Sequence, residues 1–262
     1  MNRLFIIKIG GNVLDHPAAL NKFLQDFTAI KEPKILIHGG GKLATRVGDQ
    51  LGIESRYVNG RRITDEETLN VVTMVYGGLV NKQLVAALQH MGCHAIGLTG
   101  ADGNIIKATK RPVRDVDYGY VGDVTRESVN STLLYLLLSQ NLVPVFAPLT
   151  HAGGSMLNTN ADTIASVIAV AMSKHFDVRL IFCFEKKGVL MDVTADNSVI
   201  TNLDRRKYSE LLSKGAFADG ILPKLENAYN AIDAGVKEVL IGDAADLLNN
   251  TGMQTTGTLI TQ

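Results

Sequence analysis

Short, almost wholly apolar runs alternate along this chain with longer stretches of helical periodicity. The runs at 4–9, 35–37, 95–98, 143–146, 178–182 and 239–241 are rich in β-branched residues, and each reads as a strand buried on both faces, as in a parallel sheet. Between them, 18–30, 43–51, 65–91, 128–139, 161–173 and 222–234 carry helix patterns. Thr64 ahead of Asp65-Glu66-Glu67 reads as a capping box, with acids at the positive end of the helix dipole. Gly92 and Gly235 read as helix stops. Such alternation implies right-handed β-α-β crossovers, and so an α/β protein: a three-layer αβα sandwich with a mainly parallel central sheet. Two regions break the rhythm. Residues 104–126 alternate apolar and polar and predict a β-hairpin on the sheet edge, and 149–159 predict a turn at His151-Ala152-Gly153-Gly154 between short strands. A functional division is expected near residue 172, giving lobes 1–172 and 173–262 that share one sheet.

Composition narrows the class. The 262 residues suffice for one large domain or two small ones, and 46% hydrophobic against 20% charged residues excludes wholesale disorder. Twenty-six basic and 26 acidic residues leave a net charge of 0, so no overall basic field draws nucleic acid or an anionic membrane. Two cysteines, Cys93 and Cys183, do not make a disulfide scaffold and suit a reducing compartment. The N-terminal apolar run is too short for a signal peptide and Lys8 interrupts it; no run approaches the ~18 uninterrupted apolar residues of a membrane span. The expectation is a soluble, cytoplasmic protein without membrane or nucleic-acid partners. The 25 glycines exceed the usual share of ~7%, and their positions bring in the chemistry.

Lys8 stands at a strand end beside Gly10-Gly11-Asn12, and His38-Gly39-Gly40-Gly41-Lys42 again follows a strand and precedes a helix. Ligands bind outside the carboxyl ends of strands in open α/β sheets, and glycines there let backbone N–H groups approach phosphate. The bland alternatives are a surface lysine and a tight strand-to-helix turn. Gly39, Gly41 and Ala44 also fit a short dinucleotide-binding pattern, but the acid expected about 20 residues on is missing. His38 reads as structural. Asn59-Gly60-Arg61-Arg62-Ile63-Thr64 offers arginine forks for a carboxylate, with solvation the ordinary fate of each arginine. Asn158, Asn160 and Asp162 alternate, which would place three polar side chains on one side of an extended segment; helix capping accounts for only one of them. In Gly220-Ile221-Leu222-Pro223-Lys224 the proline suits a helix first turn, where a cation is disfavoured unless an anion is bound. No zinc spacing and no nucleophile elbow is found.

These segments, in this order and with Leu79-Val80-Asn81-Lys82 and Gly97-Leu98-Thr99-Gly100-Ala101-Asp102-Gly103, resemble the amino acid kinase family over essentially the whole chain. The resemblance implies that family's fold. It implies transfer of the ATP γ-phosphoryl group to the side-chain carboxylate of N-acetyl-L-glutamate, giving an acyl phosphate, in arginine biosynthesis. By the same resemblance, Lys8 and Lys224 contact the phosphates, Asp162 holds both ammonium groups, Gly10 and Gly11 bind phosphate, and Gly11, Gly40 and Gly41 line the phosphoryl path, with Gly40 and Gly41 on the substrate side. Arg62 forks onto the substrate α-carboxylate and Asn158 binds the substrate's amide or carboxylate region. Mg²⁺ enters with ATP, so no protein metal site is expected. The chemistry agrees: a carboxylate of pKa about 4.3 is ionised at neutral pH, so positioning and charge neutralisation matter more than a general base.

One segment departs from the family pattern. Phe182-Cys183-Phe184-Glu185-Lys186-Lys187-Gly188-Val189 stands where many relatives carry an aspartate-containing turn, leaving Lys186 and Lys187 as the nucleotide-binding candidates. The first strand begins near residue 4, without the extra N-terminal helix of arginine-inhibited relatives, so an arginine-insensitive homodimer is expected, with 65–91 as the candidate contact. Three alternatives stand beside this reading. One is the same reaction on N-succinyl-L-glutamate, whose extra carboxylate needs another cation, for which the run Lys107, Lys110, Arg111 and Arg114 is available. The second is a non-catalytic ligand-binding regulator on the same fold, and the third a nicotinamide-dependent dehydrogenase.

Overall fold

In β1 (Arg3–Ile9) the two-residue period of a strand sorts side chains between two cores. Leu4 and Ile6 join one core, and Phe5, Ile7 and Ile9 the other. Lys8 therefore emerges on the Leu4 and Ile6 side. The computed structural model describes all residues except 193, 196 and 218–220, with the side chain of Pro223 also left out.

The chain continues through α1 (Gly11–Asp15), α2 (Pro17–Ala29), β2 (Lys34–His38) and α3 (Gly41–Gln50). The hairpin β3 (Tyr57–Val58) and β4 (Arg61–Arg62) follows. Next come α4 (Glu66–Val72), a π-helix (Thr73–Val80) and α5 (Asn81–His90), which form one continuous helical stretch. By length and hydropathy that stretch, Glu66–His90, would pass for a membrane span. Here it packs in the second core through Val72, Val75, Tyr76, Val80, Leu84 and Leu88. Beyond it lie β5 (Ala95–Leu98), β6 (Thr109–Lys110), β7 (Gly122–Asp123), α6 (Ser131–Ser139), β8 (Val143–Phe146), β9 (Leu149–Ala152), β10 (Ser155–Asn158), α7 (Ala161–Met172) and β11 (Asp177–Phe184). The chain closes with β12 (Asn202–Leu203), α8 (Arg205–Ser213), α9 (Leu222–Asp233), β13 (Glu238–Asp243), α10 (Leu247–Thr251) and β14 (Thr258–Ile260).

Eight strands form one sheet in the order β12-β14-β13-β11-β1-β2-β8-β5. Every neighbouring pair is parallel except β13 and β14. Helices α6, α7 and α9 cover one face and α2 to α5 the other, giving the expected three-layer sandwich with a mainly parallel sheet. The strands of residues 1–172 lie on one side of the β1–β11 pairing and those of 173–262 on the other. Connections leave this pairing in opposite directions, which marks it as the switch point where an open α/β sheet binds its ligand.

Three expectations need correction. The cap of α4 is Asp65, whose carboxylate accepts from Thr68 N–H, not Thr64, which is fully buried beneath it. Residues 104–126 do not extend the main sheet; β6 and β7 form a separate two-stranded sheet. The 149–159 turn is present as the β9–β10 hairpin, with Gly153 and Gly154 both at positive φ. Finally, Asn158, Asn160 and Asp162 do not share one side. Asn158 ends β10 and donates to Thr64 Oγ1 at 3.0 Å, Asn160 caps α7 by accepting from Thr163 N–H, and Asp162 enters the first turn of that helix.

Candidate functional site

Strand register brings the site together at the carboxyl ends of β1, β2 and β11. Lys8 stands between Ile37 and Phe182, and Ile9 between His38 and Cys183. Beyond these ends the chain turns twice on glycine. Gly39 N–H donates to Ile9 O at 3.2 Å, and a Cβ on Gly39 would lie 3.5 Å from Gly11 N, so the two turns run side by side. Gly40 has φ +150, and a Cβ there would strike the Tyr76 ring at 2.9 Å. A side chain at that position would push the turn off its seat.

Because Lys8 faces the α7 side, its ammonium meets the helix's first turn, 2.8 Å from Asp162 Oδ1. Lys224, from the first turn of α9, reaches the same place. Burial lowers the Lys224 pKa, Asp162 opposes that fall, and Lys8 adds to it. Phe184 continues the same face of β11 as Phe182. Its ring centroid lies 3.7 Å from Lys224 Nζ and 5.6 Å from Lys8 Nζ, so one aromatic ring adjoins both cations. A cavity of about 610 Å³ opens here, lined by Gly10, Gly11 and Gly41 on one side and by Phe184, Glu185, Lys186 and Lys224 on the other. Lys42 closes its edge by donating to Asn12 Oδ1.

Arg62 lies further along the Gly41 turn. Arg61 is exposed, whereas Arg62 is buried and its guanidinium is held by Gly41 O at 2.9 Å, Thr45 Oγ1 at 2.8 Å and Ser55 Oγ. The Tyr57 ring covers it at 4.8 Å. Thr64 Oγ1, the acceptor for Asn158, lies 3.5 Å from Arg62 O, tying the two predicted substrate contacts to one strand end. The structure thus gathers Gly10, Gly11, Gly41, Lys186 and Lys224 around one cavity; Lys8 and Asp162 pair behind it, with Lys8 near the Phe184 ring on its wall, Gly40 and Arg62 join it through Gly41, and Asn158 follows through Thr64. Lys187 is exposed and is not among its lining residues. Gly220 lies outside the described residues.

His38 is structural, as expected. Its Nδ1–H donates to Gly39 O at 2.7 Å, and its Nε2 accepts from Asn81 Nδ2 at 3.2 Å, since the carbonyl can only accept. Asn81 also donates to Val145 O at 2.9 Å, linking helix, turn and sheet. Burial lowers the His38 pKa from 6.5 to about 4. The folded protein therefore resists a proton that the unfolded chain accepts. Stability is complete above pH 6.5 and falls as pH drops toward 4, by about 3 kcal/mol in all. Urea midpoints measured from pH 7.5 to 4 should show this loss, and His38→Gln should flatten that part of the profile; parallel profiles would contradict it.

Sequence reasoning missed Phe184 and Tyr76. Extending the strand at 178–182 by one more two-residue step would have placed Phe184 beside Lys8. Tyr76 sits in a helix too uniformly apolar to single it out. Cys183, on the cavity wall, has its thiol pKa pushed up to about 12 by burial, so it is no nucleophile at neutral pH.

A family model described as the amino acid kinase family matches residues 3–243. The acetylglutamate kinase of Parabacteroides distasonis is 56% identical over 253 residues, covering 96% of this chain and 98% of its own. That of Phocaeicola vulgatus is 57% identical over 251 residues, covering 95% and 97%. Among solved structures, a Streptococcus mutans protein superposes with a TM-score of 0.74 at 30% identity, over 98% of both chains. N-acetylglutamate synthase from Neisseria gonorrhoeae, complexed with coenzyme A and N-acetyl-glutamate, gives a TM-score of 0.82 at 23% identity, a likeness of fold; this chain is covered in full and spans 59% of that one.

Proposed function

The chain belongs to the amino acid kinase family, and from that premise we propose that it transfers the γ-phosphoryl group of ATP to the side-chain carboxylate of N-acetyl-L-glutamate, in arginine biosynthesis. The observation that carries the reading is the Lys8–Asp162–Lys224 cluster set against two glycine turns at the sheet's switch point. A carboxylate oxygen attacks the γ-phosphorus, the bond to the β,γ-bridging oxygen breaks, and ADP leaves with that electron pair. The acceptor is already ionised, so the protein has two tasks: to bring two anions together and to neutralise the charge that spreads over the transferring group.

Lys8 supplies that charge from the central sheet and Lys224 from the helix layer that covers the same face. Asp162 keeps the two ammonium groups close without their repelling each other apart. Gly10 and Gly11 offer backbone N–H groups to the phosphates, and Gly40 and Gly41 line the path between donor and acceptor. The ~610 Å³ cavity is the place for ATP, with Lys186 on its wall. Residues 173–262 thus form the nucleotide lobe and 1–172 the acylglutamate and transfer lobe, on one sheet. Mg²⁺ arrives with ATP as part of the substrate, held by phosphate oxygens and water; among the described residues no group of three His, Cys, Asp or Glu side chains is placed to hold a metal.

Arg62 is the α-carboxylate clamp. It exchanges its present acceptors, Gly41 O and Thr45 Oγ1, for a planar carboxylate that fits its fork. Asn158 faces the amide. Arg62→Ala is expected to raise the KM for N-acetyl-L-glutamate about 100-fold, as for loss of a charge-assisted pair of about 2–3 kcal/mol, with the KM for ATP nearly unchanged. Initial rates at varied acylglutamate test it, and an unchanged KM overturns the clamp. Arg111, the least exposed member of the basic run near this region, is neutralised by Asp123 at 2.5 Å, which supports the acetyl over the succinyl substrate. We assign the protein to the cytoplasm and to a homodimer formed across the Glu66–His90 stretch, which leaves Met74 and Leu79 exposed.

The deciding experiment is ADP release with Mg-ATP, comparing N-acetyl-L-glutamate, N-succinyl-L-glutamate, glutamate and carbamate. Turnover with the acetyl compound alone supports the reading. A preference for the succinyl compound keeps the catalytic roles and overturns the acyl assignment, and no turnover with any overturns the function.

A further inference from the structure

The glycine turn after β2 ends in a lysine that the transfer cluster does not use. Lys42 follows Gly41 in the first turn of α3, where the helix dipole disfavours a cation unless an anion lies beside it. Its side chain is 67% exposed, yet its ammonium is tethered. It donates to Asn12 Oδ1, on the neighbouring glycine turn, and stands 3.8 Å from the Asp15 carboxylate at the end of α1. An ammonium has three N–H donors. Asn12 takes one, and Asp15 is a counter-charge beyond hydrogen-bond reach. The rest are left for another oxygen.

Lys42 stands on the wall between two cavities. In the one of about 610 Å³ it lies on the side of Gly10, Gly11 and Gly41, across from Glu185, Lys186 and Lys224. The other, of about 390 Å³, lies toward Asp15, and its walls are largely apolar, with Arg46 as a second cation. A cation gains little there beyond Asp15. In the first cavity it gains as soon as phosphate enters. The charge balance points the same way. Asp162 pairs with Lys8 at 2.8 Å and acts on Lys224, and Glu185 acts on Lys224 as well. These carboxylates offset much of the charge that the two lysines present, whereas nucleotide and acceptor are both anionic. On the glycine-turn side of the cavity, Lys42 is the one cation among the lining residues.

We propose that Lys42 is a phosphate-contacting cation beside Lys8 and Lys224, which leaves Asp15 for a phosphate oxygen of a nucleoside di- or triphosphate while Asn12 holds it at the cavity edge. The proposal rests on the kinase reading given above and deepens its nucleotide site. A contact made alike before and during transfer strengthens nucleotide binding and leaves the chemical step unchanged. Asp15 acts against it as a competing anion.

The test compares Lys42→Gln, Lys42→Arg and Asp15→Asn with the unsubstituted full-length enzyme, by titration calorimetry with Mg-ATP, Mg-ADP and AMP and by initial rates. Glutamine replaces an exposed side chain, so its thermal melt should match the parent's. Lys42→Gln is expected to weaken Mg-ATP binding and to raise the KM for ATP about tenfold, the lower end for a lost hydrogen bond to a charged group, because the edge is open to water. Affinity for AMP and the KM for N-acetyl-L-glutamate should stay within about twofold, and kcat within about threefold. Lys42→Arg should recover most of the loss, and Asp15→Asn should tighten Mg-ATP about twofold. Weakening of Mg-ATP alone supports a contact with the γ-phosphate, and equal weakening of Mg-ADP a contact with the β-phosphate. Unchanged Mg-ATP affinity in Lys42→Gln overturns the proposal, and so does an equal weakening of AMP, the mark of a cavity loosened as a whole. If the unsubstituted enzyme binds no Mg-ATP, the kinase reading falls and takes this proposal with it; a parent that binds Mg-ATP, with an indifferent Lys42→Gln, overturns this proposal alone.

Discussion

Replacing Lys8 with methionine is expected to lower kcat about a thousandfold while the protein stays folded. The estimate follows from charge and distance. A unit positive charge about 4 Å from negative charge is worth about 4 kcal/mol at the effective dielectric of a partly buried site, and each 1.36 kcal/mol is tenfold in rate. Lys8 is 9% exposed, so water replaces little of what its ammonium supplies. Methionine fills the space of the lysine stem on the same face of β1 as Leu4 and Ile6, so the strand keeps its packing. The Asp162 carboxylate loses its 2.8 Å partner but remains 34% exposed and still senses Lys224, which limits the cost to stability. Lys8→Ala should show the same kcat with a lower melting temperature. Measurement of kcat at saturating substrates beside a thermal melt decides the matter. A methionine variant within tenfold of the parent excludes Lys8 from the transition state, and a variant that unfolds returns the question to Lys224→Met, which is expected to lose kcat likewise.

The same strand explains how much was legible beforehand. A strand's period of two is short enough to read by eye, so the central runs at 4–9, 95–98 and 143–146 emerge nearly as β1, β5 and β8 stand. Glycine clusters after those runs are legible too, because few other residues tolerate such turns. The site's charges were placed by order along the chain and by resemblance, and the fold brings Lys8 against Asp162 and both lysines against the Phe184 ring, from different elements. Features set by tertiary context were hidden. The β14 strand, Thr258–Ile260, is only three residues long, and its pairing with β13 is decided by what lies beside it. The π-helix leaves no periodic trace, because Thr73–Val80 is apolar almost throughout. Asn160 and Asp162 looked like members of one extended row because the start of α7 was not yet fixed; once Asn160 caps the helix, Asp162 rotates toward Lys8.

That rotation gives Asp162 a test of its own, and Asp162→Asn is expected to lower kcat about a hundredfold without abolishing the reaction. Asparagine matches the shape of aspartate and leaves the Asn160 cap untouched, so only charge is removed. The cost in fold stability is about 0.3–1 kcal/mol, the worth of an acid in a helix first turn. Without the carboxylate, the Lys8 and Lys224 ammonium groups share the Phe184 ring with the Asp162 charge gone and only Glu185 still acting on Lys224. One of them swings away or loses its proton. The direction of the second effect follows from the present balance at Lys224: burial and Lys8 push its pKa down, and Asp162, more than Glu185, pushes it up. Removing the upward influence lowers the pKa further, so the alkaline limb of the kcat profile should move to lower pH. A general base would behave differently. Its loss would remove the acid limb and leave the alkaline limb in place, but a carboxylate nucleophile ionised at neutral pH has no proton to surrender. A pH–rate series on Asp162→Asn separates the two: an acid-shifted alkaline limb identifies a residue that keeps two cations charged and together, and a lost acid limb identifies a base.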